Sequence, residues 1–218
     1  MKDENFLKNR IVDFSKKRFK TVYIVDLDYT LVNVETTSHF LKFIGCQKSL
    51  LLIKPLLVFT HLFTSLLFKL FKIGIDFSKY LELKVCLRNL NKRLIDELAC
   101  RYVKTQLNNG SLFNEQIFKL LSQVREEQPV ILLTASISPI ASCFLDVGFT
   151  KVYSSEIVYR DGKFHRLRDL YRRKHVIIKA LLNFRDVNNI VVIDDSPERE
   201  IVELAKKDQR LKIINLRI

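Results

Sequence analysis

Val22-Tyr23-Ile24-Val25-Asp26-Leu27-Asp28-Tyr29-Thr30 is the stretch on which the reading of this chain turns. Its apolar, β-branched half predicts a buried strand. Its second half carries two acids. Charged side chains avoid full burial, so a strand that stops on carboxylates delivers them to the mouth of a sheet. Alternation along extended backbone sets Asp26 and Asp28 on the same side. Two carboxylates so close repel each other unless a cation or a shared proton holds them. A hard divalent ion such as Mg²⁺ suits that oxygen-rich corner. The competing reading is an acidic turn that closes an ordinary strand.

Three further elements weigh against the competing reading. Val130-Ile131-Leu132-Leu133 is a second apolar run, and it ends on Thr134. Lys174 opens a helical pattern that continues through Leu182. Ile190-Val191-Val192-Ile193 runs into Asp194-Asp195-Ser196-Pro197, with Glu198 and Glu200 close behind. Strand ends converge on one edge of a parallel sheet, which would bring these acids, the hydroxyl and the ammonium together. Around a metal, such groups suit phosphoryl transfer.

These elements, in this order, resemble the four motifs of the haloacid dehalogenase-like superfamily of aspartyl-phosphate-forming phosphatases. Asp26, Asp28 and Thr30 match the first motif, Thr134 the second, Lys174 the third, and Asp195 with Glu200 the fourth. The resemblance covers about residues 20–36 and 112–218 and leaves out what lies between. It implies that Asp26 attacks phosphorus and forms a phosphoaspartate. It gives Asp28 the acid and base roles, and Thr134 and Lys174 the phosphate oxygens. Mg²⁺ would be held by Asp26, the Asp28 backbone carbonyl and Asp195, with Thr30 and Ser136 on the substrate side. An acid two residues after the nucleophile separates phosphatase from dehalogenase chemistry. Tyr29 stands where the family usually has glycine.

Inside this scheme several positions have rivals. Neighbours on a strand point to opposite faces, so Asp194 and Asp195 are not expected to share the metal. Asp195 is preferred, because Asp-Ser-Pro resembles the family's Gly-Asp-Ser-Pro with Asp194 in the glycine place. Glu198 is the alternative to Glu200, and either also reads as a first-turn helix acid. Lys179, a full turn into its helix, is the rival of Lys174.

The chain has 218 residues, 48% of them hydrophobic and only four of them proline, which excludes extended disorder. Cys46, Cys86, Cys100 and Cys143 have neither metal nor redox spacing and are expected as buried or free thiols in a reducing compartment. The charged start Met1-Lys2-Asp3-Glu4-Asn5 lacks the apolar core of a signal peptide. A net charge of +13, part of it in Lys16-Lys17-Arg18-Phe19-Lys20 and part between Arg166 and Lys174, calls for an anionic partner. No nucleic-acid motif accompanies it, so no specific nucleic acid is expected and a membrane surface is the better match.

Residues 36–75 strengthen that match, with five lysines and no acid. The uncharged run from Pro55 to Phe68 spans only about 21 Å as a helix, against the ~30 Å of a bilayer core. Lys54, His61, Ser65, Lys69 and Lys72 fall within about 80° of arc at ~100° per residue and leave a wide apolar face. Such a helix suits an anionic membrane interface; the alternative is a lid packed on its own bundle. Pro55 should start a new helix, giving one helix over about 37–53, a second over 55–73 and a more polar helical bundle over 77–108. Farther on, helices are expected over 113–127, 136–147, 172–184 and 197–207. Strands are expected at 152–158, 190–194 and 211–216, with a hairpin turn at 159–163.

The expected fold is therefore α/β: a doubly wound parallel sheet, Rossmann-like, with an inserted all-helical cap. The core would comprise 1–36 and 112–218, and the cap 37–111 with its apolar basic segment 49–73. The expected function is hydrolysis of a phosphomonoester with Mg²⁺, on a lipid-linked phosphate, by a cytoplasmic protein peripheral on the inner face of the membrane. The layout is similar to that of the superfamily's phosphatidylglycerophosphate phosphatase type. A soluble phosphatase of the phosphoserine-phosphatase type is the runner-up. A non-catalytic module binding membrane or nucleic acid is the third reading.

Overall fold

The computed structural model describes residues 19–71, 77–110, 112–184 and 187–216, with 19, 47, 48 and 64–71 described by backbone alone. The basic run 16–18 and Lys72 thus lie outside the described residues, as do the side chains of Ser65 and Lys69. Strand β1 (Phe19–Val25) is followed by helices α1 (Thr36–Phe43), α2 (Gln47–Leu52), α3 (Lys54–Phe71), α4 (Phe77–Leu87) and α5 (Lys92–Asn109). After α6 (Glu115–Val124) come β2 (Val130–Ile137), α7 (Ser138–Ser142), β3 (Lys151–Arg160) and β4 (Lys163–Arg168). Helix α8 (Lys174–Leu182), β5 (Val187–Asp194), α9 (Arg199–Lys207) and β6 (Leu211–Asn215) complete the order.

The described strands form one sheet in the order β4-β3-β2-β1-β5-β6. All neighbours are parallel except the β3–β4 hairpin at the edge. The hairpin turns through Asp161 and Gly162, both at positive φ, the pairing that the right-handed strand twist demands. Alternation along the central strands sorts the core into two layers. Val22, Ile24, Ile131 and Leu133 pack with Ile177, Ile178 and Leu181 of α8 and Ile201 of α9. Val25, Val130 and Leu132 face the other way, toward Phe40, Leu83, Ile95, Ile117 and Phe144. This is the doubly wound parallel sheet expected, with helices interposed between β1 and β2.

Three expectations change. The helix expected over 37–53 is two helices, parted at Gly45, whose φ of 80° suits glycine alone. The helix expected over 136–147 is shorter: β2 runs on to Ile137, and α7 covers only Ser138–Ser142, with Pro139 in its first turn. The cysteines are paired, Cys46 with Cys86 and Cys100 with Cys143, at Cα separations of 5.7 and 5.5 Å. Spacings of 40 and 43 residues hide such partners from the sequence. The Cys100–Cys143 bond joins α5 to the segment that follows α7.

Candidate active site

The site is assembled where β1, β2 and β5 end side by side. The backbone N–H of Asp26 still donates to Ile193 O (3.0 Å), so the first acid is anchored as part of the sheet. Beyond it the chain closes a tight turn, with Leu31 and Val32 both donating to Leu27 O. Tyr29 takes the left-handed conformation (φ 57°) and points its ring outward, so the missing glycine does not open the loop.

Lys174 lies buried at the start of α8. Its Nζ is 2.8 Å from Asp26 Oδ2 and 3.2 Å from Asp194 Oδ2. Asp26, Asp194 and Asp195 each place a carboxylate oxygen within 4.8 Å of the others. Asp194 and Asp195 are therefore not kept apart as alternation predicts. The strand stops at Asp194, and the chain turns there, with Ser196 N–H donating to Asp194 Oδ1 at 2.8 Å. Asp194, the less favoured candidate, is the buried one in contact with Lys174, and Asp195 reaches the cluster from the turn.

One ammonium among three carboxylates leaves two negative charges unbalanced in a desolvated corner. Burial pushes Asp26 up to about 7, outweighing the nearby Lys174. Lys174 is itself raised, because the attraction of Asp26 and then Asp194 overcomes the cost of burial. Asp26 Oδ1 is buried and accepts no hydrogen bond from the described residues. An orphaned carboxylate oxygen, two neighbouring acids and two surplus negative charges fit a hard divalent cation.

Asp28 lies toward the insert. Its Oδ1 accepts from Thr36 N (2.8 Å) and Thr36 Oγ1 (2.7 Å) at the start of α1. Burial first, then the charge of Glu35, raises its pKa. Glu35 caps α1 by accepting from Thr37 N and Ser38 N. Asp28 opens onto a cavity of about 370 Å³ walled by Glu35, Ser38, His61, Lys79, Glu82 and Tyr171, among others. Most of the residues in this wall carry a polar or charged group, with Ala135 between them.

The remaining candidates take different places. Thr134 is fully buried at the end of the apolar part of β2, and its Oγ1 accepts from Ser136 N at 3.0 Å. Ser136 and Thr30, expected on the substrate side, are buried in the frame instead. The Ser136 hydroxyl is tied to Thr36 (2.6 Å) and Thr37 (3.2 Å), and Thr30 Oγ1 accepts from Asp195 N at 2.9 Å. Glu198 accepts from the N–H groups of Lys174 (3.2 Å) and His175 (3.3 Å), capping α8 from the start of α9. Glu200 lies with His175 and Glu198, away from the aspartate cluster. Thr36, Glu35 and Lys79 were missed. A threonine pair at a helix start was a usable signal for the first; a single lysine in an amphipathic helix gave none.

A sheet that delivers acids from adjacent strand ends, flanked by a lysine at a helix start, is a doubly wound α/β frame whose clustered aspartates could hold a cation. The chain belongs to the haloacid dehalogenase-like hydrolases, whose family pattern it matches over residues 24–196. No curated protein sequence matches it. In fold it is similar to a protein of unknown function from Bordetella pertussis Tohama I, with TM-score 0.63, 13% identity, and coverage of 91% of this chain and 99% of that one. It is also similar to a phosphoserine phosphohydrolase-like protein from Francisella tularensis subsp. tularensis SCHU S4, with TM-score 0.59, 20% identity and coverage of 90% and 86%. A phosphoserine phosphatase in its apo form gives TM-score 0.54, 15% identity and coverage of 89% and 86%.

Proposed function

We propose that the protein is a Mg²⁺-dependent phosphomonoester hydrolase that works at a membrane surface. The observation that carries the chemistry is the orphaned oxygen of Asp26 beside Lys174, Asp194 and Asp195. In this reading Asp26, Asp194 and Asp195 hold the ion, with the Asp28 backbone carbonyl. When bound, Mg²⁺ neutralises charge on the transferring phosphoryl group.

Asp26 attacks phosphorus as the bond to the leaving alkoxide breaks, and Asp28 gives that oxygen its proton. The phosphoaspartate is then hydrolysed by a water whose proton returns to Asp28. Burial suits Asp28 to this double duty, because a carboxyl with a raised pKa can carry a proton near neutrality. Lys174 offsets phosphate charge and keeps Asp26 aligned; Thr134 offers its hydroxyl to a phosphate oxygen.

The membrane part rests on α3. Ile53, Leu57 and Thr60 are the partly covered positions around its first turns, Lys54 is exposed, and His61 lines the cavity. Leu56, Phe59, Leu62 and Phe63 form an exposed apolar stripe, which Leu51 and Leu52 extend. A helix apolar beyond its protein-facing side needs a further apolar neighbour. Lysine as the sole ionised residue type across 36–75 matches an anionic lipid surface. No helix among the described residues is long and apolar enough to cross a membrane. A lipid-linked phosphate would then enter head first, its chains remaining by α3. The polar cavity wall favours a second reading, a small soluble phosphomonoester.

Phosphate release with Mg²⁺ from phospholipid monoesters in liposomes, compared with soluble phosphomonoesters, separates the two. Preference for the lipid supports the membrane reading, and turnover of soluble esters alone rejects it. Asp26→Asn should abolish release, at least about 10³-fold, with the fold and liposome binding unchanged. Normal turnover by that variant would sink the nucleophile assignment.

A further inference from the structure

We infer that Lys79 is a positioning residue for the hydrolysis proposed above, and the inference rests on that reading: it fastens α4 to the two loops that handle phosphate. Lys79 lies in the first turn of α4, within the insert, yet its Nζ is nearly buried in the core. There it donates to Ala135 O and lies 3.4 Å from both Asp169 Oδ1 and Ser155 Oγ. Asp169 is itself deeply buried and also accepts from Tyr171 N at 3.2 Å. Ser155 Oγ lies 2.7 Å from Ala135 O and 2.8 Å from Asp169 Oδ1, and accepts from Leu170 N. One ammonium thus joins four segments: α4, the end of β2, β3, and the loop 169–173.

Two of those segments carry the chemistry. Ala135 separates Thr134 from Ser136, and the Ser136 hydroxyl leads through Thr36 to Asp28. The 169–173 loop runs directly into Lys174. Removing Lys79 takes away the ammonium that ties buried Asp169, Ser155 and the Ala135 carbonyl to α4, so the loops on either side of Asp169 lose that tether. Lys79 faces the same cavity as Asp28, so direct contact with substrate is the rival role that the test has to separate.

The test compares wild type, Lys79→Met and the double variant Lys79→Met/Asp169→Asn. Three quantities are measured: kcat and KM for p-nitrophenyl phosphate with Mg²⁺, the melting temperature, and deuterium uptake by peptides covering 132–137 and 168–175. The expected result is faster uptake in both peptides of Lys79→Met and a fall in kcat of at least tenfold, with KM within about twofold. The double variant, which removes the Asp169 charge together with its ammonium, should recover the melting temperature but not kcat. It also carries the test if the single variant does not fold. A rise in KM with kcat intact would assign Lys79 to substrate binding and overturn the inference. Recovery of kcat in the double variant, or unchanged uptake, would overturn it too. If wild type turns over no phosphomonoester at all, the phosphatase reading fails, and deuterium uptake alone decides whether Lys79 holds the two loops.

Discussion

Asp26 has one oxygen on Lys174 and the other without a hydrogen-bond partner among the described residues. Its folded carboxyl binds a proton up to about 7, against 3.8 for the ordinary side chain. The folded state thus holds this proton more tightly than the unfolded chain does. Its contribution to stability is complete below 3.8 and is lost as pH rises through 7. Urea unfolding of the metal-free protein should therefore lose stability between pH 4 and 8, and that loss should shrink in Asp26→Asn. In the proposed reading Mg²⁺ competes with the same proton, so it should raise the unfolding midpoint at pH 8 far more than at pH 5. An equal Mg²⁺ effect at both values would refute this account of Asp26. The sequence made Asp26, Asp28, Thr134 and Lys174 legible, because each punctuates an apolar strand or opens a helix. The pairing of Asp194 with Asp195 was not legible, since period-two alternation fails where a strand ends in a turn.

Helix α3 is where element-level reading went furthest. Pro55 was expected to start a helix, and α3 begins at Lys54, with Ile53 closing α2. Its apolar face was expected to be wide, and Phe59 and Leu62 are each about two-thirds exposed. Helix α2 was hidden, because a glycine within an apolar run does not announce by itself that the chain will break there. Phe59→Ser/Leu62→Ser should weaken binding to anionic vesicles by at least about tenfold, since burying one such side chain is worth about 1.5–3 kcal/mol. Turnover of p-nitrophenyl phosphate and the melting temperature should stay as in wild type. Vesicle sedimentation unchanged by the double substitution would remove lipid as the neighbour of this stripe.

At the scale of the whole molecule the disulfides matter most. Each closes a loop of about forty residues, and such a bond is worth about 2–5 kcal/mol. Reduction should lower the urea midpoint, and a thiol count in denaturant without reductant should find none. Four titratable thiols would restore the expectation drawn from spacing. Paired cysteines persist in oxidising compartments, which weighs against the reducing one expected from the sequence. The sheet order was foreseeable in type, since strands alternate with helices, but the strand order arises from contacts between distant segments.

That order has a consequence for how the protein would wear out. Strands β1, β2 and β5, which carry or lead into the candidate acids and Thr134, are all interior, and the edges are left to β4 and β6. Fraying begins at edges, and amides in the middle of a sheet exchange only when the whole unit opens. Damage to the rim can therefore accumulate while the candidate site keeps its spacing. Catalytic competence should persist almost undiminished until the molecule fails all at once.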